Sequence, residues 1–209
     1  MTTGEANYEE PDYGELLERS LAYALGSVAD VVPGSLGRAT PCARWDLGEL
    51  LGHLDDGLDA LHEGMTGGRI GLFPGVAGRA DPACDFRRRA CALLGAWVAL
   101  AGDGRSGEGR SVTVADRPMD VRVMAAAGAV EIAVHGWDVA QACGRPRPIP
   151  SGLAVELLSV ARCVVADEDR GVRFAEPVGV LPRAGASDRL VAFLGRDSFS
   201  GRGRSAFRE

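Results

Sequence analysis

The chain has 209 residues, which is long enough for one sizeable core, and its 46% hydrophobic and 25% charged residues are ordinary for a globular protein. Its net charge of −6 argues weakly against a nucleic-acid partner, although local patches matter more than totals. There is no lysine, so no side chain of this protein can form a Schiff base through a lysine amine.

Apolar residues at helical spacing, separated by turn residues, predict helices along most of the chain. After an acidic leader at residues 1–12, predicted helices run from Tyr13 to Val32, from Trp45–Asp46 to about Gly64, from Asp81–Pro82 to about Leu100, from Met119 to Ala142, from Ser151 to Ala166 and from Ser187 to Leu194. Asp46 with Glu49 three residues later predicts a capping box, and Ser151 and Ser187 are candidate N-caps.

The segments between these helices are rich in glycine or read as extended chain. We expect loops at 66–78 and 102–109, a short strand at Ser111–Ala115, extended chain over Phe174–Leu181 and a flexible tail at 199–209. The expected architecture is one mainly α domain at residues 13–198. It would be a four-helix up-and-down bundle with a short C-terminal strand and helix, a fold that builds metal sites from facing helices.

The cysteines and the apolar segments bear on where the protein works. Five cysteines without a C-x-x-C pair, and an N-terminus unlike a signal peptide, predict a cytoplasmic protein with free, mostly buried thiols. No apolar run approaches the ~20 residues that cross a bilayer, so we expect no membrane partner. The three tryptophans are interpreted as core or capping aromatics.

Three residues far apart in the chain are candidate metal ligands. Glu131 and His135 are four residues apart, which on a helix places both side chains on one face, about 40° apart. His53 lies in the apolar helical run Leu50–Leu54. Two histidines and one carboxylate leave a fourth position on zinc open, as in catalytic sites, and nickel, iron or manganese would also suit them. Such a site produces a nucleophile from bound water or thiol at neutral pH.

Asp138 is a candidate supporting residue, because it follows Glu131 by seven residues and lies about 20° from it around the helix. It can accept the free ring N–H of a histidine ligand and so fix its tautomer. Plainer interpretations stay open: His53 as a hydrogen-bonded core histidine, Glu131 and His135 as a helix-surface pair, and Asp138 as a helix-surface carboxylate.

Four blocks of the chain resemble the DinB-like metal-binding proteins of actinobacteria, which are related to the N-terminal domain of mycothiol-dependent maleylpyruvate isomerase. Residues 40–54 are similar to the family's T-P-C-x-x-W-x-x-x-x-L-x-x-H-L, residues 131–144 to its E/D-x-x-x-H-G-W-D-x-A-x-A-x-G, and residues 174–178 and 188–197 to its C-terminal signature. The resemblance implies a four-helix bundle with a metal, usually zinc, held by His53, Glu131 and His135. It also implies a low-molecular-weight thiol as cosubstrate.

The resulting expectation is a metal-dependent enzyme, with zinc or another divalent transition metal, whose catalytic residues are His53, Glu131, His135 and Asp138. It would activate a thiol such as mycothiol, or water, to isomerise a small electrophile or to transfer sulfur to it. Two alternatives stay open. One is a non-catalytic protein that binds a metal or small molecule for sequestration or resistance. The other is a metal-free tailoring enzyme of a biosynthetic pathway. A monomer or homodimer is expected, with no nucleic-acid partner.

Overall fold

The computed structural model describes residues 12–71, 81–102, 109–171 and 174–198, and there the protein is mainly helical with a small three-stranded sheet. The elements are α1 (Tyr13–Val28), α2 (Leu47–Gly67), β1 (Arg69–Ile70), α3 (Pro82–Gly102), β2 (Ser111–Val114), β3 (Arg117–Asp120), α4 (Val121–Ala142), α5 (Ser151–Val164) and α6 (Ala186–Phe193). The predicted tail, nearly all of the leader and most of the two glycine-rich loops lie outside the described residues. Asp12, which we assigned to the leader, caps α1 by accepting from the backbone N–H of Gly14 at 2.9 Å.

Helix α4 lies at the centre of the described fold, with 17 of its 22 residues buried. It packs most extensively on α1 and also contacts α2 and α5. The close approach to α1 depends on Gly136, where an added Cβ would lie 3.0 Å from both the Cα and the Cβ of Ala24. A helix that is apolar on all sides belongs in a core, so the fold holds the residues of α4 in a rigid setting.

The same helix corrects our expectation about apolar runs. By length and composition, α4 is the one described helix that could cross a membrane. However, 83% of its apolar window is buried inside the protein, the position that a core helix occupies. Its two acidic residues, the half-exposed Glu131 and the buried Asp138, belong to the candidate site described below.

The other helices close around α4. Helix α2 packs against both α3 and α4, α1 also contacts α3, and α5 packs against α6. The largest fully buried side chains of the core are Leu16, Leu17, Leu21, Leu47, Leu50, Leu51, Leu58, Phe86, Leu93, Ile149, Leu153 and Leu157. A largely enclosed arginine of α3, Arg89, ties that helix to α2 through Asp59 at 2.8 Å and Asp55 at 3.5 Å.

Helix boundaries differ from the predictions near proline and at the caps. Helix α1 ends at Val28 rather than Val32, because Val32 precedes Pro33 and takes the extended conformation favoured before proline (φ −122°, ψ 151°). Helix α4 begins at Val121 rather than Met119, with Asp120 as its N-cap. The capping box of α2, with Asp46 and Glu49, is confirmed.

Neither predicted serine cap is correct. Pro150 occupies the N-cap of α5, so Ser151 is its first helical residue. Gly185 precedes α6, and the Oγ of Ser187 instead accepts a hydrogen bond from the backbone N–H of Ile149 at 3.0 Å. This bond joins α6 to the proline-rich segment that leads into α5.

The sheet contains one predicted strand and two that we did not predict. Strand β2 matches the expectation for residues 111–115, and it pairs antiparallel with β3 and parallel with β1. A two-residue turn with positive φ at Ala115 (47°) and Asp116 (63°) joins β2 to β3. Strand β3 is an edge strand, which is why it tolerates Pro118.

The prediction about the cysteines is half right. All five are free thiols, but none is fully buried: Cys42 and Cys143 are partly exposed, and Cys84, Cys91 and Cys163 are exposed. The last three lie on outward faces of α3 and α5, where a small residue is accepted without being enclosed.

The segment after α5 returns the chain to α4. The predicted short C-terminal strand is wrong: Phe174 forms only an isolated bridge with Arg170, and residues 175–181 form no strand or helix. The backbone N–H of Val178 bonds instead to the carbonyl of Ala192, just before the end of α6, at 2.9 Å. After α6 the chain turns at Gly195 (φ +83°), where an added Cβ would lie 2.5 Å from the Cβ of Ala175. Only glycine fits this turn, which directs Arg196 towards α4.

Candidate metal centre

Helices α2 and α4 bring the three predicted ligand side chains together. Glu131 Oε2 lies 3.2 Å from Nε2 of His135 and 3.9 Å from Nε2 of His53. One ligand atom from each of the three residues lies within 4.8 Å of the other two. His135 is buried, with 6% of its side chain exposed, whereas His53 (41%) and Glu131 (44%) are half exposed. The cluster therefore has a closed inner side and an open outer side.

This donor set fits a divalent transition metal. Two imidazole nitrogens and a carboxylate oxygen are ordinary zinc ligands, and tetrahedral zinc places its ligand atoms about 3.3 Å apart. The Glu131–His135 pair already has that spacing, and His53 needs to approach by less than about 1.5 Å. The half-exposed side leaves room for a fourth, exogenous ligand.

The charges at the cluster are set by its own hydrogen bonds. Burial opposes ionisation of Glu131, but hydrogen bonds and charge interactions with His135 and His53 outweigh it and lower the pKa of this carboxyl. Burial likewise disfavours charged His135, but Asp138 and Glu131 outweigh it and raise the pKa of its imidazole. The two carboxylates thus favour the protonated imidazole of His135, with Nε2 towards Glu131.

Asp138 contacts the ring nitrogen of His135 that does not face the cluster. Its carboxylate is fully buried, and Oδ2 lies 3.0 Å from Nδ1 of His135, so Nδ1 carries a proton and Nε2 faces the cluster. The same oxygen accepts from Nη2 of Arg196 at 3.0 Å. The geometry that the sequence predicted for Asp138 is therefore present. Its catalytic role stays a prediction.

Sequence reasoning did not single out Arg196. Its guanidinium also donates to the carbonyl of Leu194 at 2.8 Å, and only 12% of the side chain is exposed. Burial disfavours its charge, but the carboxylate of Asp138 outweighs that cost and raises the pKa of Arg196. The available signal was the short block Gly195–Asp197, a glycine turn followed by a cation. Its partner, Asp138, lies 58 positions earlier in the chain, so no local pattern pointed to it.

An aromatic ring completes the cluster. Trp45 stacks on the imidazole of His53, with ring centroids 4.3 Å apart and an interplanar angle of 29°. Its edge faces His135 at 5.9 Å, and the guanidinium of Arg44 lies over it at 5.2 Å. We interpreted Trp45 as a core or capping aromatic; it packs on the core, but it also touches both imidazoles.

Two cavities of the described chain lie away from the cluster. One, of about 440 Å³, lies between α5 and α6 and includes Arg162 and Arg189. Another, of about 380 Å³, lies beside Trp137 and the proline-rich segment. Neither is lined by the three candidate ligands. The donor geometry, and not cavity size, singles it out.

Comparison with known proteins adds relatives but no function. The chain is 28% identical over 171 residues to uncharacterized proteins of two Mycobacterium tuberculosis strains, CDC 1551 and H37Rv (Rv0738 in the latter). The match covers 81% of this chain and 89% of each relative. No family model matches the chain, and no solved structure matches it. Both relatives come from an actinobacterium, the group to which the sequence resemblance pointed.

Proposed function

We propose that this protein is a metal-dependent enzyme of the DinB-like type, a four-helix bundle with zinc as the first-choice metal. It would activate a thiol such as mycothiol, or water, towards a small electrophile, by isomerisation or sulfur transfer. The observation that carries this proposal is the convergence of His53, Glu131 and His135 from two helices, with one side open. A structural zinc site would instead present four protein ligands.

The residues of the cluster would divide the work. Asp138 holds His135 with Nε2 towards the centre, and Glu131 supplies the negative charge that a dication needs. The exposed edges of His53 and Glu131 leave an approach from solvent for the exogenous ligand. A bound metal ion would supply the Lewis acidity that lowers the pKa of a coordinated thiol or water. Arg44, exposed above Trp45, is placed to attract an anionic substrate.

One observation favours a metal-free enzyme as second candidate. His135 Nε2 lies 3.2 Å from Glu131, and the raised pKa of its imidazole favours the protonated form, which can donate a proton. Paired with a half-exposed carboxylate, it could perform acid–base catalysis in a biosynthetic tailoring reaction. Activity that survives complete removal of metal by a chelator would favour this candidate.

The exposure of two of the three side chains favours a third candidate, a non-catalytic binding protein. Sequestration or resistance needs ligand affinity but no enclosed reaction space, and His53 and Glu131 are both half exposed. Such a protein would bind metal through the same three side chains and show no turnover.

A turnover assay with matched variants separates these candidates. Metal-free protein is reconstituted with Zn²⁺ and assayed with mycothiol and small activated alkenes, by loss of free thiol and by product mass. We expect activity that disappears in His53→Ala and His135→Ala but persists in His62→Ala, the third histidine, which lies on α2 outside the cluster. Stoichiometric zinc binding without turnover of thiol or water substrates would contradict the enzyme proposal and support the binding protein.

A further inference from the structure

The two histidines of the centre are held in different ways. His135 is fixed by a hydrogen bond from Nδ1 to the buried carboxylate of Asp138. His53 has no equivalent support: within the described chain, the carboxylate nearest to its ring is that of Glu131, at 3.9 Å, which is itself a candidate ligand. A half-exposed imidazole without a second hydrogen bond is free to rotate unless packing restrains it.

The restraint on His53 is the indole of Trp45. The two rings stack with centroids 4.3 Å apart at 29°, and the ring of His135 meets that of His53 edge-on at 5.1 Å. Trp45 precedes His53 by eight residues, but the rings still meet because helical side chains tilt towards the N-terminus and the indole is long. A stacked ring restricts rotation of the imidazole out of the cluster.

The backbone of Trp45 is itself held in place. The hydroxyl of Thr40 donates to the carbonyls of Cys42 at 2.9 Å and of Trp45 at 2.8 Å. Ala39 and Asp46 form an isolated bridge on either side of this turn. Asp46 then begins α2 through its capping box, so the turn and the helix start fix the Cα of Trp45 relative to His53.

We propose that Trp45 is a positioning residue that orients the imidazole of His53 for metal binding by ring stacking, in the role that Asp138 fills for His135 by hydrogen bonding. This inference rests on the proposed metal site. It also accounts for the spacing of Thr40, Trp45 and His53. Thr40 holds the backbone of Trp45 by a hydrogen bond, Trp45 stacks on His53, and His53 is the ligand on the helix that follows the turn.

The first test uses the metal-free protein and is independent of metal binding. The ring protons of His53, assigned with His53→Asn, should resonate upfield in the wild type because they lie over the face of the indole. In Trp45→Leu this upfield shift should disappear, whereas in Trp97→Leu it should remain, because Trp97 packs against α1 at Gly14 and not on the cluster. An unchanged His53 spectrum in Trp45→Leu would overturn the stacking.

The second test measures metal affinity by competition with a chelating dye. We expect Trp45→Leu to weaken Zn²⁺ binding by about threefold to tenfold, as expected for loss of one aromatic pair. Trp45→Phe, which keeps a stacking ring, should recover most of the affinity, and Trp97→Leu should bind as the wild type does. Circular dichroism checks that each variant is folded. The visible spectrum of the Co²⁺ form should change in Trp45→Leu, since a loosened His53 alters the coordination geometry.

The outcomes separate this inference from the function on which it rests. Wild-type affinity in folded Trp45→Leu, or equal loss in Trp45→Leu and Trp97→Leu, would refute the positioning role and leave the metal site standing. A wild-type protein that binds neither Zn²⁺ nor Co²⁺ would overturn the metal site and the positioning role together.

Discussion

Replacing Asp138 with asparagine separates the effect of this carboxylate on stability from its effect on His135. The carboxylate is fully buried and accepts from both His135 and Arg196 at 3.0 Å. Asparagine keeps the shape but removes the charge, and it leaves the guanidinium of Arg196, 12% exposed, without its anion. Removing one partner of a buried pair costs about 3–5 kcal/mol. Arg196 keeps its bond to the carbonyl of Leu194 and reaches some solvent, so we expect about 3 kcal/mol.

A double variant removes this stability cost without restoring the support for His135. Arg196→Met added to Asp138→Asn takes away the unpaired charge, so most of the lost stability should return. The support for His135 does not return, because a neutral amide replaces the carboxylate behind Nδ1. Zinc affinity should stay about 10- to 100-fold below that of the wild type in both variants, the usual effect of losing such a partner.

The assay is thermal unfolding of the metal-free proteins together with zinc competition titration. For a chain of this length, about 3 kcal/mol corresponds to a fall in Tm of roughly 6–12 °C in Asp138→Asn, with most of it recovered in the double variant. The reasoning is refuted if affinity and stability recover together, because Asp138 would then act only through folding. It is also refuted if Asp138→Asn binds zinc as tightly as the wild type.

Three further predictions follow from the same contacts. Gly195→Ala should destabilise the protein by about 2–4 kcal/mol and weaken zinc binding. The new Cβ would lie 2.5 Å from the Cβ of Ala175 at a residue with φ +83°, so the turn would shift and displace Arg196. Wild-type stability in chemical denaturation would contradict this prediction. Gly136→Ala should lower the free energy of unfolding by about 1–3 kcal/mol, because the new Cβ would lie 3.0 Å from the backbone Cα of Ala24 and push α1 away from α4. An unchanged denaturation midpoint would contradict this close packing of the two helices. Zinc must displace the Nε2 proton of His135, whose pKa in the folded protein is raised above 6.5. The affinity for zinc should therefore fall about tenfold for each pH unit below that raised pKa. A zinc affinity that stays constant from pH 8 to 6 in titration calorimetry would show that no proton is displaced.

The sign of the stability change in the metal-free protein follows from the same raised pKa. Protonated His135 contributes stability that is fully present below pH 6.5, the ordinary value, and that is lost as pH rises through the folded pKa. Zinc takes the place of that proton. Its stabilising effect should therefore be greatest at the alkaline end of the pH range between 6.5 and the folded pKa of His135.

Local patterns in the sequence predicted most of the helices because each carries its own signal. The apolar spacing of α2 and the capping box at Asp46 are local features, and the structure has both of them. The i,i+4 spacing of Glu131 and His135 likewise fixed their common face on α4 once that helix was predicted.

What the sequence could not predict depends on contacts between distant segments. Strand β3 was missed because Pro118 argues against a strand, unless the strand is known to be an edge. The pairing of Asp138 with Arg196 depends on how the segment after α6 returns to α4, and no local pattern specifies that path. The N-cap of α6 was misassigned because Ser187 bonds to Ile149 in another segment, a tertiary contact that overrides the local preference.

Metal analysis can test whether His53, Glu131 and His135 hold one metal ion. The protein, purified without a metal-affinity tag and then titrated with Zn²⁺, is passed through a desalting column and its metal content measured by elemental analysis. We expect one ion per chain in the wild type and in His62→Ala, and less than about a tenth of an ion in His53→Ala and in His135→Ala. Full loading of both cluster variants, or an empty wild type, would contradict this expectation.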